Sequence, residues 1–463
     1  MKSKRLLLLN PPGRRLYTRD YFCSKVTKSG HIEHPVDLLI LSGVLNEHYS
    51  LNVIDAIAQG MDFDTSLKEI LRFDPDTIIF LAGCVSFQDD FAFLKKIKEA
   101  CPHVTMIGIG DIFKDVRAFQ QNPWINAYLR DFTSPDILEY LEGRRSGLTQ
   151  MAYRDNGSIT LPAKEENKIS KTPYQIPIPR HELFLGKNYT YPFVRHLPYT
   201  TVLTDYGCGF NCSYCVYSSF GFKMRSLENV FRELEYIHSL GIQELFIKDQ
   251  TFAFDRRRGI ALCQEMIRQQ WHFSWICFLR ANVVNTELLT LMKEAGCHTA
   301  IFGVESGNEE ILNIYRKGVH NKEKIKATFK ECRRLGIQTV ATFILGLPED
   351  NEQTIQQTID FAKELGCDYA SFNTFVPKPG TPLENVRSGE MEMIDQSGMA
   401  SVKSYGRLSP QRLDWYRRKA VFEFYLNPGY LARRFLRLKT ITEMKMNIQN
   451  GLFLVHELLK RPT

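Results

Sequence analysis

The sequence lacks any long apolar run. Its longest strongly apolar stretch is about nine residues, Thr77–Val85, against the roughly 20 that a bilayer-spanning helix needs. No transmembrane helix is therefore expected. The start, MKSKRLLLLNPPG, holds four consecutive leucines before Asn10-Pro11-Pro12-Gly13 ends the run. That is too short for a secretory leader, and the reading is a cytoplasmic protein. A net basic charge is absent from most of the chain. Residues 405–463 carry twelve Lys and Arg against four Asp and Glu, and with a net charge of +7 the other 404 residues come to about −1. A basic tail is not a nucleic-acid footprint, and no small RNA-binding module is present, so no nucleic-acid partner is expected. No Ser–His–Asp array or separate acid–base pair is legible, so no catalytic side chain is assigned. With 44% hydrophobic and 24% charged residues, wholesale disorder is excluded. A chain of 463 residues has room for two or three domains.

Residues 1–142 alternate strand and helix patterns. Strands are expected at Arg5–Leu9, Leu51–Asp55, Thr77–Leu81, Val104–Ile109 and Ile125–Leu129, with helices at Pro35–Leu45, Ser66–Leu71, Phe91–Ala100 and Ser134–Leu141. The alternation predicts an α/β fold with a doubly wound, flavodoxin- or Rossmann-like parallel sheet, whose ligands bind beyond the carboxyl ends of the strands. Residues 143–195 are rich in proline and polar residues and read as a surface linker. Residues 196–386 repeat a strand–helix unit six times, and four of the helices stop at Gly241, Gly296, Gly336 and Gly366, as helix C-caps do. A partial (β/α)6 barrel is expected, with its active groups at the carboxyl ends of the strands. Residues 387–463 form a basic helical region. There the aromatics read as packing on the barrel, with a solvated basic face. A sharper reading gives this region peripheral contact with anionic lipid, or a role in holding a bulky apolar substrate.

Of eleven cysteines, eight are scattered and three are packed together: Cys208-x3-Cys212-x2-Cys215, in the glycine-punctuated loop YGCGFNCSYCVYSSF after the first barrel strand. Three thiolates so close suit a soft metal centre. Zinc needs a fourth ligand, and no second Cys-x2-Cys or paired His follows. An iron–sulfur cluster held by three cysteines leaves one iron open for an amine and carboxylate.

On this motif the chain resembles the radical S-adenosylmethionine (SAM) superfamily, over about residues 196–386. The resemblance implies that Cys208, Cys212 and Cys215 hold a [4Fe–4S] cluster, that its open iron chelates SAM, and that one-electron cleavage of SAM yields a 5′-deoxyadenosyl radical. It also implies SAM contacts at Tyr214 beside the last cysteine, Asp249 after strand two, Arg280 after strand three, Glu305 after strand four and Gly346 after strand five. A doubly wound domain ahead of such a barrel is similar to the cobalamin-dependent subfamily, class B methyltransferase-like. That likeness implies cobalamin near Asn10, Pro11, Ser86, Gly108 and Gly110. The chain departs from the subfamily in having no Asp-x-His-x-x-Gly motif in residues 1–142 and Leu129-Arg130-Asp131-Phe132 in place of an acidic glycine-rich turn.

The function these resemblances imply is methylation of an unactivated carbon in an apolar or lipid-like small molecule, with a reducing donor such as flavodoxin or ferredoxin. The alternatives are radical cyclisation, carbon–carbon coupling or oxidation without methyl transfer, and, in another class, a metal-bearing, ligand-sensing scaffold.

Overall fold

The computed structural model describes residues 4–437 apart from 21–22, 156, 164–168, 319–320 and 387–392. Residues 438–463, which carry part of the basic tail, lie outside the described residues.

The first sheet is built on strands whose apolar runs leave no polar face. In β1 (Arg5–Asn10) Leu6, Leu7, Leu8 and Leu9 are all fully buried, as expected of a parallel strand covered on both faces. It lies between β2 (Ser50–Asp55) and β3 (Thr77–Leu81). The order β2-β1-β3 continues through β4 (Thr105–Ile109) and β5 (Ala127–Leu129). Helices α1 (Val36–Asn46), α2 (Phe63–Phe73), α3 (Phe87–Ala100) and α4 (Asp136–Leu141) connect or flank these strands.

The expected linker is in part core. Its β6 (Met151–Asp155) extends this sheet antiparallel to β5, and β7 (Ser158–Thr160) pairs antiparallel with β6, with Met151 and Ala152 fully buried. Further along, Glu233 accepts from His181 Nε2 at 3.0 Å and is ion-paired with Arg225, tying the segment to the second sheet. Proline density concealed these buried anchors.

The second sheet has six parallel strands in sequence order: β8 (Tyr199–Val202), β9 (Glu244–Ile247), β10 (Ser274–Leu279), β11 (Cys297–Glu305), β12 (Gln338–Leu345) and β13 (Tyr369–Thr374). Its helices begin where short polar side chains satisfy the free amides. Ser226 caps α5 (Leu227–Ser239), Asp255 caps α6 (Arg256–Arg268) and Asn285 caps α7 (Thr286–Glu294). Asn308 caps the short α8 (Glu309–Ile314), Asn321 caps α9 (Lys322–Leu335), and Asn351 forms a capping box with Thr354 on α10 (Glu352–Leu365). The barrel is open, since β8 and β13 are the sheet's two edges.

Helix α11 (Pro410–Tyr425) packs Leu413, Tyr416, Ala420 and Phe424 into the barrel's core, and α12 (Pro428–Arg437) follows it. The solvated basic face holds at Arg412 and Arg433, which are exposed, but not at Arg417. Arg417 is 2% exposed and paired with Asp414. Among the described residues no helix is long and apolar enough to cross a membrane.

Candidate functional site

A cavity of about 780 Å³ opens at the carboxyl ends of the barrel strands, and Cys208, Cys212 and Cys215 line it together. The loop that carries them reverses sharply. At Gly207 φ is +79°, and a Cβ there would lie 1.9 Å from the Gly221 carbonyl oxygen, so a side chain is excluded. Burial pushes the Cys208 thiol up, and it does the same to Cys215 with help from the neighbouring sulfurs. Such thiols ionise when a metal takes the proton's place. Among the described residues no three His, Cys, Asp or Glu side chains converge tightly enough for a single metal ion. Three thiols on one cavity wall suit a cluster held by three cysteines with one open iron turned to the cavity.

Three of the other residues named from the sequence share this cavity: Tyr214, Arg280 and Glu305. Arg280, 5% exposed, donates from Nη1 to Cys212 Sγ at 3.1 Å and stacks over the Phe210 ring with its guanidinium carbon 3.9 Å from the centroid. Its Nε and Nη2 are buried without a hydrogen-bond partner. Buried donors left open beside three thiols suit an anionic group such as the carboxylate of SAM. Tyr214 is half-buried, edge-on to Tyr315, and loss of solvent around the hydroxyl holds its phenol well above the usual range. Glu305 sits where the pairing of β11 with β12 shifts register, at φ +74°. The irregularity re-aims its carboxylate, which meets Lys317 Nζ at 2.7 Å.

Asp249 requires correction. Its carboxylate is fully buried away from the cavity, accepting from the Thr204 amide at 2.6 Å and the Asp205 amide at 3.0 Å. Its neighbours Lys248 and Gln250 line the cavity instead, as alternation along an extended segment requires. Gly346 also lies off the cavity, donating its N–H to Asp350 Oδ2 at 3.0 Å beneath Leu413.

None of Asn10, Pro11, Ser86, Gly108 and Gly110 lines the cavity. Arg19, 2% exposed, donates to Asn10 Oδ1 at 3.0 Å, the Pro11 carbonyl at 2.8 Å, Ser86 Oγ at 3.0 Å and Asp90 at 2.6 Å. Asp111 accepts from Ser24 Oγ at 2.8 Å and from the Cys84 amide at 2.8 Å. Gly108 packs on the Phe113 ring, and a Cβ on Gly110 would meet the Ala82 carbonyl. Val85 of these loops joins Tyr17, Val26, Met399 and Ala400 in a small apolar cluster. The loops named for cobalamin thus meet at the carboxyl ends of β1, β3 and β4.

The sequence reading missed another part of the cavity wall. Lys248 Nζ is paired with Asp20 and lies 2.6 Å from Glu33 Oε2, and Lys25 Nζ is 2.8 Å from Glu33. Burial disfavours the charge on Lys248, but Asp20 and Glu33 overcome it and hold its pKa high. Cys23, accepting from Gln396 Nε2 at 2.8 Å, adds a fourth sulfur to the lining. Lys378, 4% exposed, lines it with no hydrogen-bond partner on Nζ. No local pattern marks Asp20, Cys23, Lys25 or Glu33, whose partners come from distant segments.

Comparison with known proteins agrees with this geometry. Residues 202–362 match the radical SAM superfamily. Over 449 residues the chain is 28% identical to an uncharacterized methyltransferase of Pyrococcus horikoshii, covering 94% of this chain and 95% of that one. It is 23% identical to an anaerobic magnesium-protoporphyrin IX monomethyl ester cyclase of Rubrivivax gelatinosus, covering 88% and 76%. In fold it is similar to the radical SAM methyltransferase TsrM from Kitasatospora setae, solved with cobalamin and a [4Fe–4S] cluster bound. The TM-score is 0.63 at 19% identity, covering 82% of this chain and 74% of that one.

Proposed function

We propose that this chain, a methyltransferase-like radical SAM enzyme, methylates an unactivated carbon of an apolar, lipid-like small molecule. The observation that carries the reading is one cavity joining three cysteines, the open donors of Arg280 and a lining of Phe278, Ile301, Val340 and Ile344. When bound, a [4Fe–4S] cluster and SAM supply one-electron cleavage of the sulfonium and a 5′-deoxyadenosyl radical, the electron coming from an external donor of the flavodoxin or ferredoxin kind.

The chain's own residues bind, orient and exclude water. Cys208, Cys212 and Cys215 hold the cluster. Arg280 offers Nε and Nη2 to the carboxylate of SAM and steadies Cys212. Glu305, fixed by Lys317, faces the cationic side of the nucleotide, and Tyr214 shields its adenine side. In this reading cobalamin would supply the methyl group, which its presence in the similar TsrM supports.

A second reading is favoured by the likeness to the anaerobic magnesium-protoporphyrin IX monomethyl ester cyclase. It is radical cyclisation, coupling or oxidation without methyl transfer.

The test is anaerobic reconstitution of the full chain, with hydroxocobalamin supplied. Bound iron and 5′-deoxyadenosine release are expected, and both should vanish in Cys212→Ala. If iron and nucleotide cleavage survive that substitution, the proposal is wrong. A product heavier by one methylene supports methylation, and an unmethylated product supports the second reading.

A further inference from the structure

We infer that the cavity is a two-ended slot, with the substrate's reacting carbon at the cysteine end and an extended apolar tail leaving by a second mouth between β13, α11 and α12. The inference rests on the radical SAM reading above and names the shape of its substrate. The open barrel is the cause. Because β13 is an edge strand, nothing of the sheet covers its outer side, and the cavity runs along it. Tyr369, Ala370, Ser371, Asn373 and Thr374 all line the cavity, with Phe375 just beyond. Six residues at about 3.3 Å each give a slot about 20 Å long, far longer than one aromatic ring system.

The two ends differ in chemistry. At the carboxyl end lie the cysteines, Arg280 and the Glu305–Lys317 pair. At the amino end the lining passes to Val421, Phe422, Leu426 and Leu431 of the carboxyl-terminal helices. Phe422 is 36% exposed, Leu426 64% and Leu431 50%. Large apolar side chains gathered at the rim of a cavity mark a ligand route rather than scattered surface hydrophobes. The rim is continuous with the cysteine site, which argues for the enzyme's own substrate as occupant rather than a separate partner.

The test uses the anaerobically reconstituted full chain and a series of n-alkyl carboxylates of about 8 to 16 carbons, read by displacement of dansylundecanoate fluorescence. Affinity is expected to rise up to about fourfold per added methylene, the ratio for burying one such group, until the slot is filled. Leu426→Lys combined with Leu431→Lys changes exposed positions that do not threaten folding. It should weaken the longest probe at least tenfold and leave the shortest unchanged, with 5′-deoxyadenosine release as in the parent. Affinity independent of chain length, or a double variant that binds the longest probe as the parent does, overturns the inference. Loss of 5′-deoxyadenosine release in the parent would instead count against the radical SAM reading, whatever the probes do.

Discussion

Replacing Lys248 with Met should damage the protein out of proportion to the atoms removed. The ammonium is 4% exposed at the side chain, Asp20 is 8% and Glu33 2% exposed, and Lys248 is paired with both. Glu33 would keep Lys25 at 2.8 Å and His31 at 3.2 Å. Asp20 would keep much less, because its Oδ1 already has no hydrogen-bond partner. Burial pushes the Asp20 carboxyl up and Lys248 opposes that shift, so K248M should drive Asp20 to take up a proton. Breaking a buried pair by deleting one partner costs about 3–5 kcal/mol. At about 2 °C per kcal/mol for a large domain, the melting temperature should fall by roughly 6–10 °C. The loss should shrink as pH is lowered, since the native variant then holds the proton that the unfolded chain has yet to bind. Thermal unfolding of K248M, D20N and the double variant measures the coupling directly. If K248M melts within about 1 °C of the parent, or if adding D20N recovers nothing, the buried charge is not where the cost lies.

Arg280→Met removes the donors facing the cavity while Cys212 keeps its place in the loop. Hydrogen bonds to charged groups contribute about 1.5–3 kcal/mol, so SAM affinity by calorimetry should fall about ten- to a hundredfold with iron content retained; equal loss of iron would make Arg280 a prop for the cluster. Burial raises the Asp350 carboxyl to about 6, so its native state holds a proton that the unfolded chain has released. That contribution is fully present below about pH 4 and lost as pH rises towards 6, about 3 kcal/mol in all. D350N should therefore gain on the parent in chemical denaturation between pH 4 and 7, and an unchanged difference across that range would refute the assignment.

Much of the barrel was legible because each of its devices is local. Gly336 and Gly366 end helices at positive φ. The cysteine loop was legible for the same reason, since its spacing carries its chemistry. What escaped depends on which face a residue takes or on distant partners. Asp249 and Lys248 are adjacent, and their order along one strand end decided that the lysine faces the cavity and the aspartate the backbone. Met151–Asp155 reads as a polar tether until β5 is beside it. Lys248 and Glu33 are 215 residues apart, and no periodicity links them.

These distant contacts bear on how the two sheets work together. The barrel's open seam is filled largely from outside the barrel. Lys28 Nζ donates to the Phe372 carbonyl at 2.6 Å and to Asn373 Oδ1 at 2.8 Å on β13, and Tyr191 packs against Phe246 of β9 with ring centroids 4.8 Å apart. The long connection after β1 thus has two occupations. Its first part, through Arg19 and Ser24, closes the strand ends of the first sheet, and its second part, through Lys25, Lys28 and Glu33, walls the cavity. One segment cannot open the first site without shifting the second. Any ligand that parts the strand-end loops would therefore move Lys248's partners and the seam along β13.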